Sequence, residues 1–332
     1  EAPVFTMNSD MTNAMQSVDS DAIVEVPVFT MNSDISSVSQ VVDSAATFTS
    51  IVEADVNIST IQQNVNSTGD FVEFWTPVQI STGAWFDTSD TSTITLDASN
   101  NPQQWTDISG KGRHISNPTA SERPTQGTDG AIEFNGTSQY LFNSDAFMYD
   151  NGLIHTYVVM DPDPVNSGFA GGERYIHEDS NTNGSPLYGP MSQREDFVDG
   201  PETDGSVFIR DDSGNILIRN TDVNASGQYT TGFGIIDFHD DGNTIRLGRD
   251  GIELGSANYT RSTLNVNQFV IGGVLRSGFC CGMPSRIKEI IVVDQIMNQT
   301  DKEKMEGYLA HKWGLESKLP SNHPYKTEPP TV

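Results

Sequence analysis

The chain has 332 residues, 45 Asp and Glu against 18 Lys and Arg, a formal charge of −27 and only two cysteines. Such an acidic balance makes nucleic acid and anionic lipid poor partners, and no apolar run approaches the ~18 residues of a membrane span. With 35% hydrophobic and 19% charged residues, the composition suits a secreted β-protein with wide Ser-, Thr-, Asn- and Gly-rich loops. The start at Glu1 is read as removal of a secretion signal, which gives an extracellular, cell-surface or virion-surface expectation.

The first 110 residues contain no Lys or Arg and carry 15 acids, so −15 of the net charge lies in one third of the chain. An internal repeat opens this stretch. Glu1-Ala2-Pro3-Val4-Phe5-Thr6-Met7-Asn8-Ser9-Asp10 returns as Glu25-Val26-Pro27-Val28-Phe29-Thr30-Met31-Asn32-Ser33-Asp34, a shift of 24 residues. Fixed-period similarity marks one supersecondary unit used more than once, and Pro-Val-Phe-Thr-Met reads as a short strand whose leading Pro suits an edge. Residues 1–70 hold three aromatics, Phe5, Phe29 and Phe48. That is too little to offset a chain entropy of ~1–2 kcal/mol per residue. The stretch is therefore expected to order against something else. Neighbouring copies of the same chain are the simplest source of two alike grooves. Val4, Phe5, Met7, Val28, Phe29 and Met31 are the candidate anchors of such self-assembly. Twenty-four extended residues span roughly 80 Å, far enough to pass one domain. A tether to a different partner and an independent repeat domain remain as alternatives.

From about residue 72 short β-type runs alternate with Asn, Asp, Gly and Ser turns. Thr156-Tyr157-Val158-Val159-Met160, Phe269-Val270-Ile271 and Glu289-Ile290-Ile291-Val292-Val293 are runs, and Asp212-Ser213-Gly214-Asn215 and Asp240-Asp241-Gly242-Asn243 are turns. Many short strands at regular spacing predict an all-β, two-sheet sandwich. One helix follows the last strand. Thr300 or Asp301 is its expected cap, Met305, Tyr308, Leu309 and Lys312 share a face, and Gly314 ends it. The organisation read from sequence is an arm over 1–70, a β-domain over 71–326 and a tail over 327–332.

Three blocks carry a family resemblance. They are Ala84-Trp85-Phe86-Asp87 with Gln104-Trp105-Thr106-Asp107-Ile108-Ser109-Gly110; Arg123-Pro124 with Ile132-Glu133-Phe134-Asn135-Gly136; and Glu289-Ile290-Ile291-Val292-Val293-Asp294 with Glu306-Gly307-Tyr308-Leu309-Ala310-His311-Lys312-Trp313-Gly314. Together, over roughly 83–326, they resemble the laminin-G-like, concanavalin-A-like lectin-glucanase jelly rolls of secreted bacterial and virion proteins. The resemblance implies a jelly-roll sandwich with one C-terminal helix. It leaves activity open, because that fold serves lectins, adhesins, accessory modules and structural domains alike.

Glycosidases of this broad fold place acids as Glu-x-Asp-x-x-Glu on one strand; that pattern is missing, as are a His-Glu-x-x-His zinc motif and a Gly-x-Ser-x-Gly elbow. The expectation is a protein that is not an enzyme. Calcium is the candidate ion, with Asp237, Asp240, Asp241 and Asn243 as oxygen ligands, although turn chemistry explains the same residues. Sugar stacking calls for exposed aromatics, and of the four tryptophans only Trp75 lies outside the family blocks, which are expected to pack. Seven glycosylation sequons begin at Asn57, Asn66, Asn135, Asn183, Asn224, Asn258 and Asn298. Adjacent Cys280 and Cys281 can close an eight-membered ring, pair between chains or stay reduced, with the oxidised form favoured in a secreted chain. The leading functional expectation is a structural subunit of an extracellular filament, self-assembling through its N-terminal strands. The alternative is a glycan-binding adhesin or phage fibre module with a lectin-like head.

Overall fold

A computed structural model describes residues 73–149, 154–163, 174–180, 186–193, 203–219, 222–275 and 278–332, together with the backbone of four short strands nearer the N-terminus. The chain divides into two units, 1–75 with 331–332, and 76–330.

In the first unit Phe5–Met7 pairs with Phe29–Met31, and Ala14–Val18 with Val38–Val42, both parallel and in register. The shift is 24 residues in each case, so the first ladder pairs identical residues throughout and the second does so at Gln16/Gln40 and Val18/Val42. Each copy of the repeat thus has the other copy of the same chain as a ladder partner, where the sequence reading had assigned it a groove on a neighbouring protomer. The reason is geometric: equivalent strands of two copies have the same side-chain alternation, so they can pair at the ~4.8 Å strand spacing without a second chain. Val4 and Val28 lie outside the described residues.

The second unit is the expected all-β sandwich. One sheet runs in the order Ile252–Asn258, Thr244–Arg249, Gly234–Asp240, Ile154–Pro162, Pro284–Val293, Ile132–Asn135, Thr125–Gln126, with Thr82–Asp87 also laid along Pro284–Val293. The other runs Ile216–Ile218, Gly205–Arg210, Leu187–Gln193, Arg174–Asp179, Gln268–Ile271, Leu141–Asn143, Ile115–Ser116, Pro102–Trp105, Ile94–Leu96. Between residues 76 and 330 every named ladder is antiparallel, so side chains alternate between a core face and an outer face. Val158, Ile236, Phe238 and Ile290 of the first sheet share one buried core with Trp105, Leu141, Tyr188 and Ile271 of the second. Ring contacts bridge the layers, Phe86 to Trp105 at 5.5 Å and Tyr188 to Phe238 at 5.9 Å between centroids.

The helix spans Gln299–Trp313. Its cap is Asn298, whose side-chain oxygen accepts from the Asp301 amide at 2.9 Å, not Thr300 or Asp301 as the sequence suggested. Three candidate capping residues in four positions cannot be ranked by type, and the backbone turn decides among them. Gly314 closes the helix in the left-handed conformation, φ 68°. Met305 and Leu309 are fully buried, and the helix lies on the outer face of the first sheet, where Lys312 and Trp313 reach Glu289.

Candidate functional site

Two places in the second unit gather chemistry. The first is under the helix. Asp87 and Glu289 stand directly opposite each other on neighbouring strands, and Lys312 Nζ donates to Asp87 at 2.6 Å and to Glu289 at 2.9 Å. Trp85 Nε1 and Trp313 Nε1 donate to the two oxygens of Glu289 at 2.8 and 2.6 Å. Burial pushes the Glu289 carboxyl up to about 7, against the pull of Lys312. A paired carboxylate with a raised pKa is the profile of a catalytic acid, but Glu289 is 0% exposed and three donors hold its two oxygens. The cluster clamps the helix to the sheet, and its central carboxylate is closed to a substrate.

The second place is the outer face of the nine-stranded sheet. The registers put Thr95, Gln104, Ser116, Phe142, Val270 and His177 in one row across it. Gln268, Asp179, Leu187 and Arg210 form the next. Their chain neighbours Trp105, Leu141, Ile271, Ile176, Tyr188 and Ile209 face the core. At the centre His177 Nε2 lies 3.1 Å from Asp179 Oδ2, and Asp179 Oδ1 accepts from Gln268 Nε2. All three are buried, and the small hairpin of Val274–Leu275 and Phe279–Cys280 lies against Gln268. Gln268 donates to the Leu275 carbonyl of that hairpin.

The rims of this face stay accessible. Gln104, Ser116 and Phe142 on one side, and Phe208 and Arg210 on the other, are half-buried, while Thr95 is exposed. Phe279 stacks on Tyr140 with centroids 5.3 Å apart and planes 16° apart, and Phe142 sits 6.0 Å from Tyr140. Tyr140 donates to Glu122 Oε2 at 2.8 Å, and burial with that carboxylate pushes its hydroxyl up to about 12, so it stays a donor. The Arg210 guanidinium lies 6.0 Å from the Phe208 ring centroid. The accessible rims therefore combine ring surfaces with amide, hydroxyl and guanidinium groups, while His177 and Asp179 between them are covered.

The residues singled out from sequence fall elsewhere. Trp75 is 4% exposed, so the open ring face required for stacking is covered. Trp105 is fully buried in the core, and Trp85 and Trp313 belong to the Glu289 clamp. The proposed calcium ligands are parted. Asp237 sits on the outer face of its strand, whereas Asp240 on the core side accepts from the Tyr188 and Tyr259 hydroxyls. Asp241 accepts from the Asn243 and Thr244 amides and from Arg246, and Asn243 is exposed. The strand period of two sends 237 and 240 to opposite faces, and no group of three His, Cys, Asp or Glu among the described residues is placed to hold an ion. Asn135, Asn224, Asn258 and Asn298 are exposed, the last as the helix cap. Asn57, Asn66 and Asn183 lie outside the described residues. Cys280 and Cys281 are both exposed on the hairpin.

Sequence reasoning passed over His177, Asp179, Gln268, Phe142 and Arg210. The one available signal was the His-x-Asp spacing, which puts 177 and 179 on the same strand face. Glu178 between them turns to the core, where its carboxylate accepts from the amides of Phe147, Met148 (2.6 Å) and Tyr149 (2.9 Å). Those partners lie about thirty residues away in sequence and have no motif.

The class defined by this architecture is a two-sheet, jelly-roll-type β-sandwich. No family model matches the chain, and no curated protein does. Among solved structures it is similar to the binding domain of Paraclostridial Mosquitocidal Protein 1, at 10% identity and TM-score 0.48, over 70% of this chain and 53% of that one. The binding domain of botulinum neurotoxin DC in complex with SialylT matches at 8% identity and TM-score 0.44, over 69% and 51%. Trypanosoma rangeli sialidase in complex with sialic acid matches at 12% identity and TM-score 0.47, over 77% and 36%. The chain thus spans about half the length of the two toxin binding domains and about a third of the sialidase. No helix among the described residues is long and apolar enough to cross a membrane.

Proposed function

We propose that the unit 76–330 is a glycan-binding module without catalytic activity, and that its ligand face is the outer face of the nine-stranded sheet. The observation that carries this is the placement of the half-buried rings Phe142, Phe279 and Phe208 beside Gln104, Ser116 and Arg210. Between those two rims His177, Asp179 and Gln268 are buried, so they brace the sheet and leave ligand contact to the rims. Sugars are recognised by a ring surface for their C–H face and by amide, hydroxyl and charged side chains for their hydroxyls. Groups held in place before binding keep the entropic cost of association low. The full chain on a glycan microarray, followed by calorimetry, tests the reading. Binding that Phe142→Ala weakens about tenfold supports it, the equivalent of ~1.4 kcal/mol. Binding indifferent to Phe142→Ala and Gln104→Ala, or no glycan bound at millimolar concentration, overturns it.

A second reading is favoured by the in-register pairing of the 24-residue repeat. A two-stranded parallel ladder leaves unpaired backbone groups along its edges, so another copy of the chain can extend it. On this reading the N-terminal unit builds an extracellular filament that displays the sandwich. Negative-stain microscopy of the full chain beside a chain beginning near Phe71 distinguishes the two. Filaments from the first alone support assembly through the repeat. Single particles from both remove it.

A further inference from the structure

We infer that Cys280 and Cys281 form a reversible redox site, closing under oxidation into a vicinal disulfide ring. Their Sγ atoms lie 2.7 Å apart, side by side, and both residues are exposed to a soluble oxidant. They are also the only cysteines of the chain. Adjacent residues seldom hold their sulfurs this way, because the two side chains normally diverge from an extended backbone. Here Cys281 takes the left-handed conformation, φ 57°, which is uncommon for a residue bearing a Cβ.

The flanks hold that conformation in place. On one side Phe279 is stacked on Tyr140 and packed over Gly273 and Gly282, where an added Cβ would collide with its ring. On the other, Met283 is fully buried and Pro284 begins the long central strand. The dipeptide is therefore pinned at both ends, with little freedom left to lose on ring closure. The site stands independently of the glycan reading, although Phe279 is common to both.

The oxidant is a small-molecule disulfide. One cysteine thiolate attacks a sulfur of the oxidant, forming a mixed disulfide and releasing one thiol; the second thiolate attacks the protein sulfur of that bond, closing the ring and releasing the other thiol. Two electrons and two protons pass from the chain to the oxidant. An exposed ring of this kind is of the labile type, which a dithiol reverses.

The test counts thiols on the full-length chain after equilibration with oxidised glutathione, with alkylation under denaturing conditions, intact mass and a non-reducing gel. The expected result is a fall from two thiols per chain to none, a mass lower by two hydrogens, no glutathione adduct, no dimer, and recovery of both thiols with dithiothreitol. Cys280→Ser, which cannot close the ring, must instead retain a glutathione adduct or dimerise. Two alkylated thiols after oxidation, a stable adduct on the parent chain, or covalent dimers of the parent chain each overturn the inference.

Discussion

Lys312→Met is the sharpest perturbation of the sandwich, because its cost depends on pH in a way that only the Glu289 clamp predicts. The Glu289 carboxyl titrates at about 7 in the folded protein, above its ordinary 4.5. A carboxyl raised in this way binds its proton more tightly folded than unfolded. Its contribution is therefore fully present below about 4.5 and is lost as pH rises towards about 7, an amount of roughly 3 kcal/mol. The attraction of Lys312 is the largest influence holding that value down. With Met at 312, the carboxyl at pH 8 must either stay ionised without a cation or take up a proton, and breaking a buried pair in this way costs about 3–5 kcal/mol. At pH 5 Glu289 is already neutral, and the loss reduces to the Asp87 contact and one or two hydrogen bonds, about 1–2 kcal/mol. Asp87 still holds Ser89 through the amide and hydroxyl at 2.8 and 2.7 Å. Urea unfolding of both proteins at pH 5 and pH 8, followed by tryptophan fluorescence, measures the difference; Trp85 and Trp313 report directly because both touch Glu289. The double variant Lys312→Met, Glu289→Gln should lose the pH-dependent part. Equal destabilisation at the two pH values, or a greater loss at pH 5, would refute the buried-carboxylate account.

Glu178→Ala should be among the most damaging single changes, since it strips the acceptor from three consecutive amides in the core. At about 1–3 kcal/mol per orphaned group the loss exceeds 3 kcal/mol, a fall of roughly 10 °C in Tm for a domain of this size, read by calorimetry. Asn298→Ala should cost about 1 kcal/mol through loss of the helix cap, whereas Thr300→Ala should stay within half of that. A denaturant series on the two variants ranks them, and the reverse order would return the cap to Thr300.

Much of the architecture was legible because period and punctuation are local. Alternating runs between Asn, Asp and Gly turns predicted an all-β sandwich, and the 3–4 spacing of Met305, Leu309 and Lys312 with Gly314 behind them predicted the helix Gln299–Trp313. The candidate site was not legible. His177, Asp179, Gln268 and Phe142 come from three strands separated by up to 126 residues, and only the strand order makes them neighbours. Trp75 offered a plausible stacking residue, but exposure is a property of packing, and packing buried it.

The acids around 240 show the division most plainly. Sequence alone determined that Asp237, Asp240 and Asp241 lie close along the chain, that a turn follows them, and that the chain carries a large negative charge. It determined equally the 24-residue repeat and the adjacency of Cys280 and Cys281. Only the tertiary structure decided that Asp237 turns to the outer face, within reach of the charges of Glu306 and Lys302, while Asp240 meets two tyrosines in the core. Only there do the repeat copies pair with each other, and only there do the two sulfurs meet. The physical reason is common to all three. Chain spacing sets which groups can be near one another, but the face a side chain takes, and the water it loses, follow from the strand register and from what packs on that face.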